Sequence, residues 1–176
     1  MDAYTVLIQK QRDTWLRYVD LLQCIEATRP DEVLPALHEI EARVNGDKVY
    51  AAGFLTYEAS PGMDPAMVTP EPGNLPLLWF GIFKHVETLP VLPQASGSYE
   101  LGSWQPSISE SQYMASLERV RRYIEAGDTY QVNLSFRLRT EFSGQPYALF
   151  DALQRAQQGR NAAFIETPEL AVCSAS

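Results

Sequence analysis

The sequence predicts an α+β fold, with a mainly antiparallel sheet or sheets flanked by helices. Apolar, β-branched runs of strand length cluster in the first half and return at the C-terminal end. Three other stretches repeat apolar residues at helical spacing. Strands and helices do not alternate regularly, which argues against a parallel sheet built from βαβ units.

Residues 4–9 read as a first strand and residues 15–25, WLRYVDLLQCI, as a second whose alternation is imperfect. The period then changes. Val33, Leu37, Ile40 and Val44 recur at helical steps, with Asp31 placed to cap the start, Pro35 near the first turn and Gly46 as the stop. Residues 49–57, VYAAGFLTY, form a strand apolar on both faces, in which Gly53 marks a bulge or a close backbone approach. A loop rich in Pro and Gly spans 60–75, another apolar strand 77–83, and a second break 89–98. That break is the expected boundary between a subdomain of residues 1–92 and a second of residues 93–176.

Beyond the break, Ser109 and Gln112 match a capping box, and Tyr113, Leu117, Val120 and Ile124 form one apolar stripe that ends at Gly127. Tyr130, Val132, Leu134, Phe136 and Leu138 then alternate with polar residues, the pattern of a strand with one face on a core. Pro146 opens a helix with Leu149, Phe150 and Leu153 inward and Gly159 as terminator. Residues 162–166 and 170–174 make a hairpin turned through Thr167, Pro168 and Glu169.

Of the 176 residues, 45% are hydrophobic and 20% charged, and the formal net charge is −8. That balance disfavours nucleic acid and anionic membranes. The one basic cluster, Arg119, Arg121 and Arg122, lies among Glu118 and Glu125 at ion-pair spacing on a helix surface. No stretch approaches a membrane span and the N-terminus lacks a signal-peptide pattern, so a soluble, cytoplasmic protein is expected. Cys24 and Cys173 read as buried thiols. His38 and His85 have no ligand-spaced Cys, His or carboxylate, so no metal site is expected within the chain. No nucleophile elbow, P-loop or dinucleotide fingerprint is present.

Tyr123 to Ser135, YIEAGDTYQVNLS, is more specific. Gly127 permits positive φ, Asp128 can bond its own turn, and Gln131, Asn133 and Ser135 offer a row of polar groups. The segment resembles the helix–turn–strand of the chorismate-using enzymes: anthranilate synthase component I, aminodeoxychorismate synthase component I, and the isochorismate and salicylate synthases. Its Val-Asn-Leu form is most similar to the aminodeoxychorismate branch. AAGFLTYEAS (51–60), LPLLWFGIF (75–83) and residues 160–165 are similar to further segments of that family in the same order.

The resemblance implies an enzyme that aminates chorismate to 4-amino-4-deoxychorismate in 4-aminobenzoate and folate formation, with Mg2+ as cofactor and a glutamine amidotransferase subunit or domain as partner. It also implies that the family's catalytic residues lie beyond Ser176, so that the chain by itself is inactive. Anthranilate formation, or a non-catalytic assembly or ligand-sensing module, is the alternative. Relatives hold a regulatory amino acid between a Leu-Leu-x-Ser strand and a Pro-aromatic turn. The matching residues here are Gln9, Trp15, Leu16, Arg17, Tyr18, Arg160, Asn161 and Ala162. The serine, the proline and its aromatic are absent, so a filled structural core is expected at that place.

Overall fold

The computed structural model describes residues 4–11 and 14–175. By compactness the chain divides into one unit of residues 1–97 with 146–176 and a second of 98–145. The division expected at residue 92 follows the resemblance and the Pro-rich break. Compactness sorts the chain differently and returns the C-terminal helix and hairpin to the first unit.

The first unit is a six-stranded sheet. Its strands are β1 (Thr5–Gln11), β2 (Thr14–Ala27), β3 (Tyr50–Leu55), β4 (Leu78–Leu89) and the hairpin strands β9 (Ala163–Glu166) and β10 (Ala171–Ser174). They lie in the order β10-β9-β1-β2-β4-β3, and every pairing is antiparallel. The fold is α+β. Helices α1 (Pro30–Asp47) and α3 (Pro146–Gln157) complete the unit.

Side-chain alternation decides which face each helix covers. Val33, Ala36 and Ile40 of α1 pack on Ile25, Ala27, Leu78 and Ile82, while Phe150 of α3 packs with Leu7, Trp15, Ala162 and Phe164. The intervening strand positions Val6, Ala52, Trp79, Phe83 and Ile165 form a third cluster on the helix-free face. The curled sheet closes over that cluster itself. Tyr4 and Phe54, from opposite sides, both stack on Trp79 at 6.2 Å, and Tyr18 meets Phe83 at 5.5 Å. Trp79 and Phe83 are thereby buried without a covering helix.

The long second strand shows why its alternation is broken. Asp20 adopts a left-handed conformation (φ 59°), and the β2–β4 register slips between Leu21 and Gln23. Each irregularity shifts which residues face the core. At Gly53, where a bulge or a close approach was open, the close approach holds: a Cβ there would lie 2.0 Å from the Trp79 carbonyl oxygen. The strand expected over 49–57 ends at Leu55, and a 3-10 turn follows at Tyr57–Gly62.

Helix α1 starts and stops differently from the expectation. The Glu32 carboxylate accepts from the backbone N–H groups of Thr28 (2.9 Å) and Arg29 (3.1 Å), which holds it below the usual carboxylate range. Asp31 instead pairs with the Arg29 side chain at 2.8 Å. Gly46 lies inside the helix, and Lys48, left-handed at φ 55°, ends it. Gln158 (φ 50°) does the same for α3, one residue before Gly159.

The second unit contains α2 (Glu110–Ala126) and short strands: β5 (Tyr99–Leu101) with β8 (Phe142–Gly144), and β6 (Gln105–Pro106) with β7 (Leu138–Arg139). The capping box forms as expected. Ser109 Oγ accepts from the Gln112 N–H (3.2 Å) and the Ser109 N–H donates to the Gln112 side chain (2.8 Å). Gly127 closes the helix at φ 79°, its N–H bonding Ile124 O while that of Asp128 bonds Tyr123 O.

The strand expected from Tyr130 to Arg139 is corrected: only Leu138–Arg139 is strand. A strand exists through its neighbour's hydrogen bonds, and alternation alone cannot supply them. The neighbour here is Gln105–Pro106, whose proline has no N–H to give. Residues 130–137 therefore run irregularly, with Gln131, Asn133 and Ser135 exposed and Phe136 packed against Tyr113 at 5.7 Å.

Candidate functional site

The eight residues matched to the regulatory pocket separate into two groups. Gln9, Trp15 and Ala162 converge. Gln9 and Trp15 face one another across β1 and β2, and the Gln9 N–H donates to Ala162 O at 2.9 Å. The Gln9 side-chain oxygen also accepts from the Ala162 N–H at 3.2 Å. All three residues are buried. The Trp15 indole stands edge-on to Phe150, 5.9 Å between centroids and 89° between planes. Trp15 thus fills the space, and Gln9 satisfies the backbone that borders it.

The other five do not enter that cluster. Alternation turns Leu16 and Tyr18 to the opposite face, where Leu16 pairs with Ile8 and Tyr18 packs on Phe83. Arg17 shares the Trp15 face but forks onto Glu87 of the neighbouring strand. Arg160 and Asn161 are exposed in the bend before β9.

Two further residues shape this region: Tyr147, which sequence reasoning passed over, and Cys173, expected as a buried thiol and found, like Cys24, only partly buried. Tyr147, near the start of α3, donates its hydroxyl to Pro93 O at 2.5 Å and rests its ring on Phe164 at 5.2 Å. Burial pushes its pKa up to about 12. Cys173 places its Sγ 3.6 Å from Pro146 O, and burial raises this thiol to about 11. An arrangement of neutral, half-buried, internally bonded groups is built to hold structure. Among the described residues no cluster of three or more His, Cys, Asp or Glu side chains could hold a metal ion. Nor, among them, is any helix long and apolar enough to cross a membrane.

Known proteins resemble this chain. A family model described as chorismate binding enzyme matches residues 87–176. Aminodeoxychorismate synthase component 1 of Bacillus subtilis is 25% identical over 115 residues, 65% of this chain and 23% of that protein. The Klebsiella aerogenes protein of the same name is 34% identical over 74 residues, covering 42% and 16% of the two chains. Anthranilate synthase component 1 of Thermus thermophilus is 29% identical over 164 residues, 92% of this chain and 33% of that protein. The aligned region is thus a third or less of each of these relatives.

Proposed function

The chain belongs to the chorismate binding enzyme family, and on that premise we propose that it is the N-terminal part of a protein that aminates chorismate. In the proposed reaction ammonia replaces the ring hydroxyl, which leaves as water, and 4-amino-4-deoxychorismate is formed with the enolpyruvyl group retained. The observation that carries this reading is the segment Tyr123–Ser135, whose Gly127 turn and Val132-Asn133-Leu134 lie inside the family-matched region. Relatives named aminodeoxychorismate synthase component 1 support the same branch.

In this reading the chain supplies scaffold. The six-stranded sheet fixes β9 and β10, and α2 with its capped ends sets the direction in which residues 128–137 leave the helix. Among the described residues no group of three or more His, Cys, Asp or Glu side chains is placed to hold a magnesium ion, and no step is derived through one. Magnesium and the reacting side chains belong, by resemblance, to the remainder of the proposed whole protein. The relatives' designation as component 1 supports a partner, which we take to be a glutamine amidotransferase delivering ammonia. The cytoplasm is the proposed compartment.

Anthranilate formation is the second reading, favoured by the alignment to the Thermus thermophilus protein along 92% of this chain. It differs chemically by releasing pyruvate. Mass spectrometry of chorismate incubated with ammonium, Mg2+ and the product of the complete reading frame separates the two. A product retaining the enolpyruvyl group supports aminodeoxychorismate synthesis. Anthranilate with stoichiometric pyruvate would overturn it.

A further inference from the structure

Strand β3 ends the order of the six-stranded sheet, so within that sheet only one of its edges is hydrogen-bonded, to β4. Thr56 fixes the phase of that bonding. Its N–H donates to Leu77 O at 2.9 Å, in continuation of the β3–β4 register. Backbone groups of an antiparallel strand point alternately to its two sides. Tyr50, Ala52 and Phe54 therefore bond β4, while Ala51, Gly53 and Leu55 aim their N–H and C=O groups away from the sheet. Among the described residues those outward groups make no backbone hydrogen bond.

Natural sheets protect such an edge with lysine, proline, a bulge or a covering element. The strand YAAGFL has no charge and no proline, and its register with β4 runs unbroken from Tyr50 to Leu55. Tyr50 and Leu55, at its two ends, are exposed. Side-chain size is complementary about Gly53. When the strand is laid antiparallel against its own copy with Gly53 facing Gly53, Ala52 meets Phe54, Ala51 meets Leu55 and Thr56 meets Tyr50. A small side chain stands opposite a large one at every step. The outward groups also coincide, so Ala51 with Leu55, and Gly53 with itself, can exchange both N–H···O bonds. Lys48 and Glu58, equally far from Gly53, bring opposite charges to the two ends. Other registers lose this match: centring on Ala51 sets Leu55 against Asp47, and centring on Leu55 sets Glu58 against Ala52.

We propose that β3 is a homodimer contact, in which two copies of this chain pair antiparallel about Gly53 and continue one sheet across both.

The test uses the full chain carrying Tyr130→Asp and Leu138→Asp, so that association through the second unit is weakened. Salt is set at about 0.15 M, where net charge is screened beyond roughly 8 Å. Sedimentation equilibrium should then give a dimer. Leu55→Pro removes an outward N–H and spares the β4 ladder, so it should weaken dimerisation about tenfold or more. Leu55→Val keeps the N–H and should dimerise like the parent. Cross-linking gives a second reading that does not depend on the proline variant folding. Residues facing one another across the dyad would lie about 5.5 Å apart at Cα, within disulfide reach. Ala51→Cys mixed with Leu55→Cys should therefore cross-link on oxidation, whereas either variant alone, or the parent with Cys24 and Cys173, should not. A monomer, which would leave the edge to a different partner, would overturn the proposal. So would dimerisation unchanged by Leu55→Pro, no cross-link in the mixture, or single variants that cross-link as well as the mixture.

Discussion

Trp15 and Phe150 meet edge to face, 5.9 Å between ring centroids and 89° between planes, and this contact fastens α3 to the second strand of the sheet. Both residues are buried, and Leu7, Ala162 and Phe164 complete the cluster around them. Trp15→Ala should therefore lower stability by about 3–5 kcal/mol, the cost of emptying a large aromatic site. Urea unfolding followed by circular dichroism measures it, and a loss under about 1 kcal/mol would show the contact to be incidental. The same filled space should leave free tryptophan without a site. Calorimetric titration of the parent chain is expected to be flat, and a micromolar dissociation constant would refute the filled core.

Two glycines should respond to alanine with opposite sign. At Gly53 the added methyl meets the Trp79 carbonyl at 2.0 Å and the Phe80 backbone at 2.6 Å, so two paired strands must separate. Gly53→Ala should cost about 1–3 kcal/mol or more. Gly46 lies inside α1, and a methyl added there meets nothing within 4 Å, so Gly46→Ala should stabilise by about 0.5–1 kcal/mol. Melting temperatures of the two variants, compared with the parent, check both signs.

Stability should fall in alkali. Burial raises Cys173 from 9.0 to about 11 and Tyr147 from 10.0 to about 12. For groups raised on folding, the stabilising contribution is complete below the unfolded values and is lost as pH rises through the folded ones. Unfolding free energy should hold steady up to about pH 9 and decline between about 9 and 12. Cys173→Ala with Tyr147→Phe should flatten that decline. An unchanged slope in the double variant would assign it elsewhere.

The chain alone should self-associate through its second unit. None of the residues of α2 is buried, and Trp104, Tyr130 and Leu138 are exposed by 54%, 92% and 54%. Exposed apolar surface of this extent promotes association. Light scattering should give a mass that rises with concentration, and aspartate at Tyr130 and Leu138 should reduce it. A concentration-independent monomer would contradict the expectation.

Local rules were legible at several places where one short stretch decides the outcome. Ser109 with Gln112, Gly127 with its left-handed turn, and the hairpin through Thr167 each depend on neighbours in sequence, and each forms as expected. The strand expected at 130–139 failed because strand formation needs a partner that alternation does not encode. The start of α1 is capped differently because Glu32 reaches back to the Thr28 and Arg29 N–H groups, a competition with Asp31 that residue preference does not resolve, and its stop moves to the left-handed Lys48. Of the candidate pocket, Gln9, Trp15 and Ala162 come together through strand register. Leu16 and Tyr18 could have been excluded by parity from Trp15 alone. Tyr147 carried no signal in sequence, since its role arises where α3 packs on β9 and its hydroxyl reaches Pro93 O, 54 residues away.

If the chain is scaffold for a chorismate-aminating protein, its reacting groups lie elsewhere and it cannot turn over substrate by itself. Incubating the 176-residue chain alone with chorismate, ammonium and Mg2+, with product detection by mass spectrometry, tests that most directly. The expected result is no conversion above a no-protein control. Appearance of 4-amino-4-deoxychorismate or anthranilate in proportion to added chain would contradict it.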